Sequence, residues 1–430
     1  MVGIKGTGMS SLACLLFDLG HEVIGSDTTK SFGFEEGLIK RNIKILDFNV
    51  DNIKDEYVYI IGNAYKEDFS EVKQIIKLGY EYYYYHDFIS KLDGFHIAIS
   101  GTHGKTTTTK MIVDMLDKED IAFVIGSGYG GATKNYKYLI YEACEYQDHF
   151  LAYKPDILVI NNIELDHPDY FNSINDVYNS FIKLGKQAKK VVLNNNILLP
   201  KKDNYVYYGN SNCEYNYRII EENQEGFIIE INGEIFELPF YGKHMIDNFL
   251  SAYVVLKSIG YTDEYIKSKI SNIVLPKRRM EEEIIDKQII IQDYAHHPTE
   301  IKSLYDSIVQ KYHNIPITVF FQPHTYSRTL ALSTSFVTTL SFFDEVYIFP
   351  TFSSCREHVE NKLQVQVNNI FSSFKCVENI EEIEIKKEER IYVFLGAGEY
   401  LKIFLNLKKC FMKINKNIFI IYWKYFHEVV

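Results

Sequence analysis

The chain lacks the cysteine patterns that disulfide-rich and zinc-binding proteins show. Its 430 residues include six cysteines, and none of them forms a CxxC pair or stands near a histidine at a spacing that suits zinc. We therefore predict neither a disulfide framework nor a structural metal site, and a reducing cytoplasm fits this cysteine usage best. The cysteines are Cys14, Cys144, Cys213, Cys355, Cys376 and Cys410.

Long apolar runs and a surplus of basic residues are also absent. No stretch approaches the ~20 apolar residues of a membrane-spanning helix, and the first residues lack the charged and then apolar pattern of a secretory signal. The net charge of −11 argues against a general binder of nucleic acid. We expect a cytoplasmic monomer or homodimer with no nucleic-acid partner and no stable membrane association.

The most informative segment that is present is Gly101–Thr107, directly behind the apolar run Phe95–Ile99. Two glycines let a backbone turn direct its N–H groups at phosphate oxygens, Lys105 adds a positive charge, and Thr106 offers a hydroxyl to Mg²⁺. The loop is shorter than the usual Walker pattern. A strand-to-helix turn with a surface lysine is the alternative interpretation.

A second glycine turn opens the chain. Gly3, Gly6 and Gly8 precede a helical pattern that runs to Gly20, and the stretch His21–Asp27 reads as a strand that ends in an acid. This βαβ pattern is typical of a Rossmann-type site for a diphosphate at a helix N-terminus. The turn is weakly specific, so NAD(P), FAD and a UDP-sugar all remain open.

The length and the alternation of strand and helix patterns predict an α/β protein with three domains. A polar break ends the first unit at Gly94, and the hinge Leu275–Arg279 separates the second unit from the third. We predict an N-terminal Rossmann-like domain at 1–94, a central P-loop ATPase-like domain at 95–275 with a β-rich insertion, a C-terminal Rossmann-like domain at 276–408, and an appended tail at 409–430.

Polar clusters follow predicted strands in the central unit. Glu142–Tyr146 follows the strand Tyr138–Tyr141, and Asn161–Asp169 follows Ile157–Ile160. Carboxylates and a histidine at the carboxyl ends of parallel strands can hold Mg²⁺ against phosphates, although either cluster alone is more often a solvated or hydrogen-bonded turn. Two such clusters beside the loop that contains Lys105 favour the metal interpretation.

Two similar clusters follow strands of the third unit. Gln292–Glu300 contains Tyr294 and two histidines, and Phe321–Thr329 contains a histidine and Arg328. These residue types suit a site for a carboxylate or phosphate, with Arg328 as a fork for the anion. Ordinary loop chemistry is the alternative.

Five segments together resemble the Mur ligases: SGTHGKTTT at 100–108, EACEY at 142–146, NNIELDHPDYF at 161–171, DYAHHPTE at 293–300 and FQPHTYSRT at 321–329. The resemblance runs from the first glycine turn to Gly398. Within the family, the last two segments are more similar to the members that add L-alanine to UDP-N-acetylmuramate than to those that recycle murein tripeptide.

This resemblance implies an ATP- and Mg²⁺-dependent ligase of peptidoglycan precursor synthesis that activates the lactyl carboxylate of UDP-N-acetylmuramate as an acyl phosphate and joins it to L-alanine. The recycling ligase and a non-catalytic UDP-sugar binder are the alternatives. A nicotinamide-dependent oxidoreductase would leave the loop around Lys105 and both metal-type clusters unexplained.

The resemblance also assigns roles to single residues. It implies Lys105, Glu145, His167 and Asn162 as catalytic residues, with Thr106, Glu145 and His167 on the metal. The residues implied to contact ATP are Gly101, Thr102, His103, Gly104, Lys105, Thr106, Thr107, Asn248 and Asp293. Those implied for the UDP part are Gly6, Gly8, Met9, Ser10 and Asp27, and those for the alanine and muramoyl end are Tyr294, His296, His324 and Arg328.

Overall fold

The computed structural model describes residues 1–116, 120–211, 213–352, 361–378, 382–386, 388–398 and 404–408. The predicted tail at 409–430 lies outside these residues, as do Cys355 and Cys410. Parallel strands alternate with helices in three successive units, so the α/β prediction is confirmed. Among the described residues, no helix combines the length and apolar character that a membrane crossing requires.

The N-terminal unit surrounds a small parallel sheet. Its elements are α1 (Thr7–Asp18), β1 (Ile24–Asp27), α2 (Glu36–Lys40), β2 (Lys44–Asp47), β3 (Tyr59–Ile61), α3 (Ser70–Leu78), β4 (Tyr82–Tyr84) and α4 (Tyr85–Ile89). Strands β1 and β2 pair in parallel, as do β3 and β4. Val2 joins the two pairs because it forms parallel bridges to both Ser26 and Ile61. The predicted first strand is thus a single residue, and β1 begins at Ile24 rather than at His21.

The central unit contains a ten-stranded sheet. Its elements are β5 (Phe95–Ser100), α5 (Lys105–Met115), β6 (Ile121–Ile125), β7 (Tyr129–Ala132), β8 (Tyr138–Glu142), β9 (Ile157–Ile160), α6 (Ile174–Gln187), β10 (Lys190–Asn194), β11 (Tyr205–Gly209), β12 (Tyr215–Asn223), β13 (Gly226–Ile231), β14 (Glu234–Leu238), α7 (Lys243–Ser258) and α8 (Asp263–Lys269). The strand order is β14-β13-β12-β11-β10-β9-β5-β8-β6-β7.

This order determines which loops meet. Strand β5 lies between β8 and β9 and is parallel to both, with Ile99 opposite Glu142 and Ser100 opposite Ile160. Since the carboxyl ends of parallel strands share one edge of a sheet, the glycine loop after β5 and the polar clusters after β8 and β9 lie side by side there.

The β-rich insertion is an antiparallel extension of the same sheet. Strands β12, β13 and β14 pair as a meander, and their apolar side chains pack on α7. The ring of Phe236 lies 5.9 Å from that of Phe249 and 5.4 Å from that of Tyr253. This packing holds α7 beside α5, the helix that begins at Lys105.

The C-terminal unit contains a six-stranded sheet. Its elements are β15 (Glu281–Ile285), β16 (Gln288–Asp293), α9 (Pro298–Lys311), β17 (Ile317–Phe321), α10 (Tyr326–Ala331), α11 (Ser333–Leu340), β18 (Glu345–Ile348), α12 (Asn361–Ile370), β19 (Lys375–Cys376) and β20 (Arg390–Leu395). The order is β15-β16-β20-β17-β18-β19, and only β15 is antiparallel to its neighbour. The polar clusters after β16 and β17 therefore lie at the same edge.

Candidate active site

The glycine loop adopts backbone conformations that suit a phosphate site. Gly101 has φ +128° and Gly104 has φ +79°, both in the region that favours glycine. A Cβ atom at Gly104 would lie 2.3 Å from the Oδ1 atom of Asn248, so no larger residue fits there. Helix α5 begins at the next residue, and the N–H groups of its first turn have no partners within the helix. The loop can therefore present donors to an anion.

Lys105 lies in the loop and is paired with a buried carboxylate. Its Nζ atom donates to the backbone oxygens of Gly101 at 2.5 Å and Thr102 at 3.1 Å, and to the Oε2 atom of Glu145 at 3.1 Å. Burial alone would lower the pKa of Lys105, but the negative charge of Glu145 raises it on balance. The ammonium group is thus fully charged at neutral pH.

Thr106 contacts the carboxylate that ends β8. Its hydroxyl donates to the Oε2 atom of Glu142 at 3.1 Å, and the backbone N–H of Gly126 donates to Oε1 at 2.6 Å. Burial raises the pKa of Glu142. The hydroxyl predicted to bind metal is therefore hydrogen-bonded to the carboxylate of Glu142.

Asn162 acts on the loop through its backbone. The amide N–H of His103 donates to the Oδ1 atom of Asn162 at 2.7 Å, and the Nδ2 atom of Asn162 donates back to the oxygen of His103 at 3.2 Å. Asn162 therefore holds the loop in shape, and it also lines the cavity beside the loop.

The residues predicted to hold Mg²⁺ fit a hard cation. Glu145 is only 2% exposed, and its Oε1 atom has no hydrogen-bond partner among the described residues. Burying a carboxylate oxygen without a hydrogen-bond partner costs free energy unless a bound cation compensates its charge. His167 is close enough to interact electrostatically with Glu145, and burial lowers its pKa, which keeps the imidazole neutral. Thr106, Glu145 and His167 remain the predicted metal residues, and the unpartnered Oε1 atom of Glu145 is the feature among them that suits a cation.

A cavity of about 540 Å³ opens between the loop, α7 and the C-terminal unit. Asn248 and Asp293, the two residues predicted to contact the nucleoside, both line it, together with His103 and Gly104. The two Asp293 oxygens already accept from the N–H groups of Met280 at 2.7 Å and Ala295 at 2.8 Å. Asp293 is therefore positioned to hold the hinge turn at the edge of the cavity.

A buried ion pair connects the central and C-terminal units at this site. The guanidinium of Arg328 donates from Nε to Oδ1 of Asp166 at 2.8 Å and from Nη2 to Oδ2 at 3.2 Å. Burial would raise the pKa of Asp166, but the charge of Arg328 lowers it well below its usual value. Arg328, predicted as a fork for a substrate anion, uses two of its donors on the residue next to His167.

The other three residues predicted for the alanine and muramoyl end surround Arg328. The ring of His296 lies 5.1 Å from that of Tyr294 and 5.7 Å from that of His324. The Nδ1 atom of His324 lies 3.2 Å from the Nη1 atom of Arg328. The structure therefore brings this predicted group together and places it against Asp166 and His167.

The residues predicted for the UDP part have mixed environments. Gly6 caps α1, and a Cβ atom at Gly8 would lie 2.8 Å from the ring of Tyr85. Met9 and Ser10 are buried, and the backbone N–H of Ser10 donates to the oxygen of Gly6 at 2.8 Å. Asp27 accepts from the N–H groups of Lys5 and Thr28, both at 2.7 Å, and so holds the glycine turn in place.

The sequence analysis gave no role to several residues that the structure brings into these sites. Glu164, Arg279 and Glu300 lie around His103 and line the cavity. Glu164 and Glu300 lie inside the quoted motifs, and their position at strand ends was the available signal. A third cluster of Asn63, His86 and His149 forms beside the N-terminal unit, with the two imidazole rings stacked at 4.7 Å. Those three residues are far apart in sequence, and no motif connects them.

Two of the three units match the sequence patterns of a known family. The sequence pattern described as the Mur ligase middle domain matches residues 99–256, and the pattern described as the catalytic domain of the Mur ligase family matches residues 1–94.

Individual proteins match over nearly the whole chain. The UDP-N-acetylmuramate–L-alanine ligase of Lacticaseibacillus paracasei is 36% identical and covers 93% of this chain and 95% of its own length. The crystal structure of UDP-N-acetylmuramate–alanine ligase from Thermotoga maritima superposes with a TM-score of 0.79 at 23% identity, covering 96% of this chain and 98% of that one. A murein peptide ligase from Psychrobacter arcticus gives a TM-score of 0.70 at 21% identity, covering 95% and 98%. These two structures share the fold with this chain.

Proposed function

We propose that this chain, which belongs to the Mur ligase family, joins L-alanine to the lactyl carboxylate of UDP-N-acetylmuramate and converts ATP to ADP and phosphate. The observation that carries the proposal is the meeting of two clusters. The phosphate loop with Lys105 and Glu145 lies on one side of Asp166 and His167, and the Arg328 cluster of the C-terminal unit lies on the other. A nucleotide and a second anion can thus be brought together at one place.

The reaction has two chemical steps. The lactyl carboxylate oxygen attacks the γ-phosphorus of ATP, the bond from phosphorus to the β,γ-bridging oxygen breaks, and an acyl phosphate and ADP form. The amine of L-alanine then attacks the acyl carbon, the tetrahedral intermediate expels inorganic phosphate, and the amine loses a proton. Negative charge shifts between oxygens throughout the first step, so a fixed cation beside them lowers the barrier.

The residues of the site supply that environment. Lys105 keeps its charge and stays fixed by its three acceptors, so the ammonium group does not need to reorient when the phosphate charge redistributes. We propose Glu145 and His167 as catalytic residues that complete the site and Asn162 as the residue that holds the loop. Tyr294, His296, His324 and Arg328 would surround the incoming amine and the muramoyl carboxylate.

Thr106, Glu145 and His167 would hold Mg²⁺, which would neutralise phosphate charge when bound. The unpartnered Oε1 atom of Glu145 is the feature of this chain that favours the assignment.

The domains would divide the binding of substrates. We propose that residues 1–94 hold the UDP part at Gly6, Gly8, Met9 and Ser10, with Asp27 holding the turn. Residues 95–275 would bind ATP through Gly101–Thr107 and Asn248, and residues 276–408 would close over both and contribute Asp293. We propose that the substrates are small molecules and that the enzyme acts in the cytoplasm.

The test is release of phosphate from ATP by the purified chain. We expect release only when both UDP-N-acetylmuramate and an amino acid are present, with L-alanine preferred over glycine and serine. Tight binding of the UDP-sugar without release of phosphate would overturn the proposal. Release supported by the murein tripeptide, but not by L-alanine, would assign the chain to the recycling branch of the family instead.

A further inference from the structure

Glu300 is a buried carboxylate with no role in the reaction described above. It lies in the first turn of α9, in the C-terminal unit, and its side chain is 11% exposed. Burying a carboxylate away from water is costly unless its oxygens are paired. The partners of Glu300 therefore indicate what keeps it there.

Those partners come from three separate parts of the chain. The Oε1 atom lies 3.3 Å from Nδ1 of His103 in the phosphate loop and 3.7 Å from Nη1 of Arg279 in the hinge. The Oε2 atom accepts the backbone N–H of His296 at 3.1 Å and lies 3.3 Å from the imidazole Nδ1 atom of that residue. One side chain thus contacts the ATP loop, the hinge and the cluster at the alanine and muramoyl end.

His103 is the charged partner of Glu300 across the unit boundary. Burial by itself would lower the pKa of His103, but the carboxylates of Glu164 and Glu300 raise it to about 9. His297 and His244 also face it, and burial lowers the pKa of each, so neither competes as a cation. Burial would raise the pKa of Glu300, but His296, His103 and Arg279 hold it well below its usual value.

The second carboxylate on His103 provides a comparison within the same site. Glu164 belongs to the central unit, as His103 does, and its Oε2 atom lies 3.6 Å from Nε2 of His103. Its side chain is 34% exposed, so water screens this pair more than the pair with Glu300. His103, Glu164 and His297 also have ligand-type atoms within 4.8 Å of one another. The Nδ1 atom of His297 accepts the N–H of Thr299 at 3.3 Å, and the Nε2 atoms of His103 and His297 have no hydrogen-bond partner among the described residues.

We infer that Glu300 is a positioning residue for ATP, which fixes the phosphate loop through His103 only while the C-terminal unit is docked. Docking of the C-terminal unit and binding of the nucleotide then both depend on the contact between His103 and Glu300. Each therefore raises the equilibrium constant of the other by the same factor. Glu300 itself does not touch the reacting atoms. The inference rests on the proposed function only in placing ATP on this loop.

The test is a double-mutant cycle with His103→Gln, Glu300→Gln and the pair combined, read as the dissociation constant of ADP by calorimetry and as KM for ATP. Coupling energies of this kind correspond to about tenfold in affinity, so we expect each single variant to weaken ADP binding about tenfold. The double variant should be no weaker than the worse single variant. In His103→Gln, KM for UDP-N-acetylmuramate should stay within about twofold of wild type, because His103 lies in the phosphate loop and Glu300 keeps its contacts with His296 in that variant.

Glu164→Gln is the matched control. It removes a negative charge from the same imidazole, while the amide oxygen of Gln can still accept the hydrogen bond that the Thr299 hydroxyl donates from the C-terminal unit at 2.6 Å. We expect a clearly smaller loss of ADP affinity. Multiplicative losses in the double variant, or an equal loss in Glu164→Gln, would overturn the inference. ADP binding needs no turnover, so a chain that binds ADP but does not ligate would defeat the proposed function alone.

If Glu300→Gln does not fold, the test moves to His103→Gln and amide hydrogen exchange of α9. The inference requires ADP to slow exchange of α9 in the wild-type protein and to slow it much less in the variant. Equal slowing in both proteins would overturn it.

Discussion

Lys105 and Glu145 form an ion pair in which each charge is stabilised mainly by its partner. Lys105 has a side-chain exposure of 15% and Glu145 of 2%, so neither is solvated by bulk water. Removing one member of a buried pair leaves an uncompensated charge, which costs about 3–5 kcal/mol. The side chains of Lys105 and Glu145 therefore contribute both to catalysis and to stability. Replacing either residue should affect both properties.

Replacing Lys105 by Met tests this combination. We expect Lys105→Met to lower the rate of phosphate release by about 10²–10³-fold or more, because a fixed cation is lost from the transition state. It should also lower the thermal unfolding midpoint, since Glu145 is left buried and unpaired. The double variant with Glu145→Gln should regain most of the midpoint and none of the activity. Affinity for UDP-N-acetylmuramate should persist throughout, and its loss would contradict the division of substrate binding among the domains.

Asp247 is expected to make stability depend on pH. Burial raises its pKa from 3.8 to about 6, against a hydrogen bond from Asn194 at 3.1 Å. Between those two pKa values the native state holds a proton that the unfolded state has released. The free energy of unfolding therefore falls as pH rises from about 4 to 6 and remains lower at higher pH. A shift of about two units corresponds to at most ~3 kcal/mol.

Asp247→Asn should therefore raise the unfolding midpoint at pH 7.5 and leave it nearly unchanged at pH 4. Scanning calorimetry at both values provides the measurement, with Asp306→Asn as the control, because the Asp306 side chain is 51% exposed. Equal effects at the two pH values would show that Asp247 is not the group responsible.

Among the elements, α9 has the most specific docking. The Gln310 side chain accepts the N–H of Gly242 at 2.7 Å and donates to the backbone oxygens of Asn223 at 3.2 Å and Gly226 at 3.1 Å. Ser307, one turn earlier, donates to the oxygen of Tyr241 at 3.0 Å. These bonds fix α9 to the β-rich insertion and to the start of α7, so the insertion serves as a docking surface for the C-terminal unit.

Gln310→Ala would leave three buried backbone groups without partners, at about 1–3 kcal/mol for each unsatisfied group. We expect faster amide hydrogen exchange at Gly242 and along α9, with little change in β5 or β8. Val309→Ala, at a neighbouring position that is 40% exposed, is the control and should exchange as wild type does. Unchanged exchange at Gly242 in Gln310→Ala would refute the docking role.

The elements themselves were largely predictable from local patterns. The run Ile157–Ile160 is continuous and apolar, and it forms a buried parallel strand with the predicted bounds. A short strand before the first glycine turn was predicted, but its reduction to Val2 alone has no local signal, because a single residue has no periodicity. Its position depends on partners at Ser26 and Ile61 that only the folded sheet provides.

For the whole molecule, docking of the C-terminal unit depends on a buried ion pair. Arg328 and Asp166 have side-chain exposures of 6% and 9%, whereas Lys277 and Glu36, which also connect distant units, have 78% and 57%. An exposed pair contributes about 0–1 kcal/mol, and breaking a buried one costs about 3–5 kcal/mol. The buried pair thus contributes more to closure than the exposed pair does.

Asp166→Ala should shift the protein to an open form, because Arg328 can regain water only if the units separate. Small-angle scattering should show a larger radius of gyration for this variant, and Lys277→Ala should match wild type. Because the Asp166 pKa is depressed in the folded state, its contribution is present above about pH 4 and is lost as pH falls further. The wild-type protein should therefore open on acidification. A closed Asp166→Ala variant would show that apolar contacts alone hold the units together.

The sequence by itself determined the kind of chemistry and the local frame of each site residue. A glycine loop after an apolar strand, acids at strand ends and two histidine-containing motifs are encoded within short segments, because turn geometry and strand burial are local properties. Those segments were enough to identify the family and the α/β fold.

The tertiary structure alone decided which of these groups meet and which remain available. Strand order places β8 and β9 beside β5, although 40 residues separate Lys105 from Glu145. Unit docking pairs Arg328 with Asp166 and His103 with Glu300. Tertiary packing buries Met9 and Ser10, and burial raises the pKa of Asp247. Pairing, burial and charge depend on distances between remote parts of the chain, and no local pattern contains those distances.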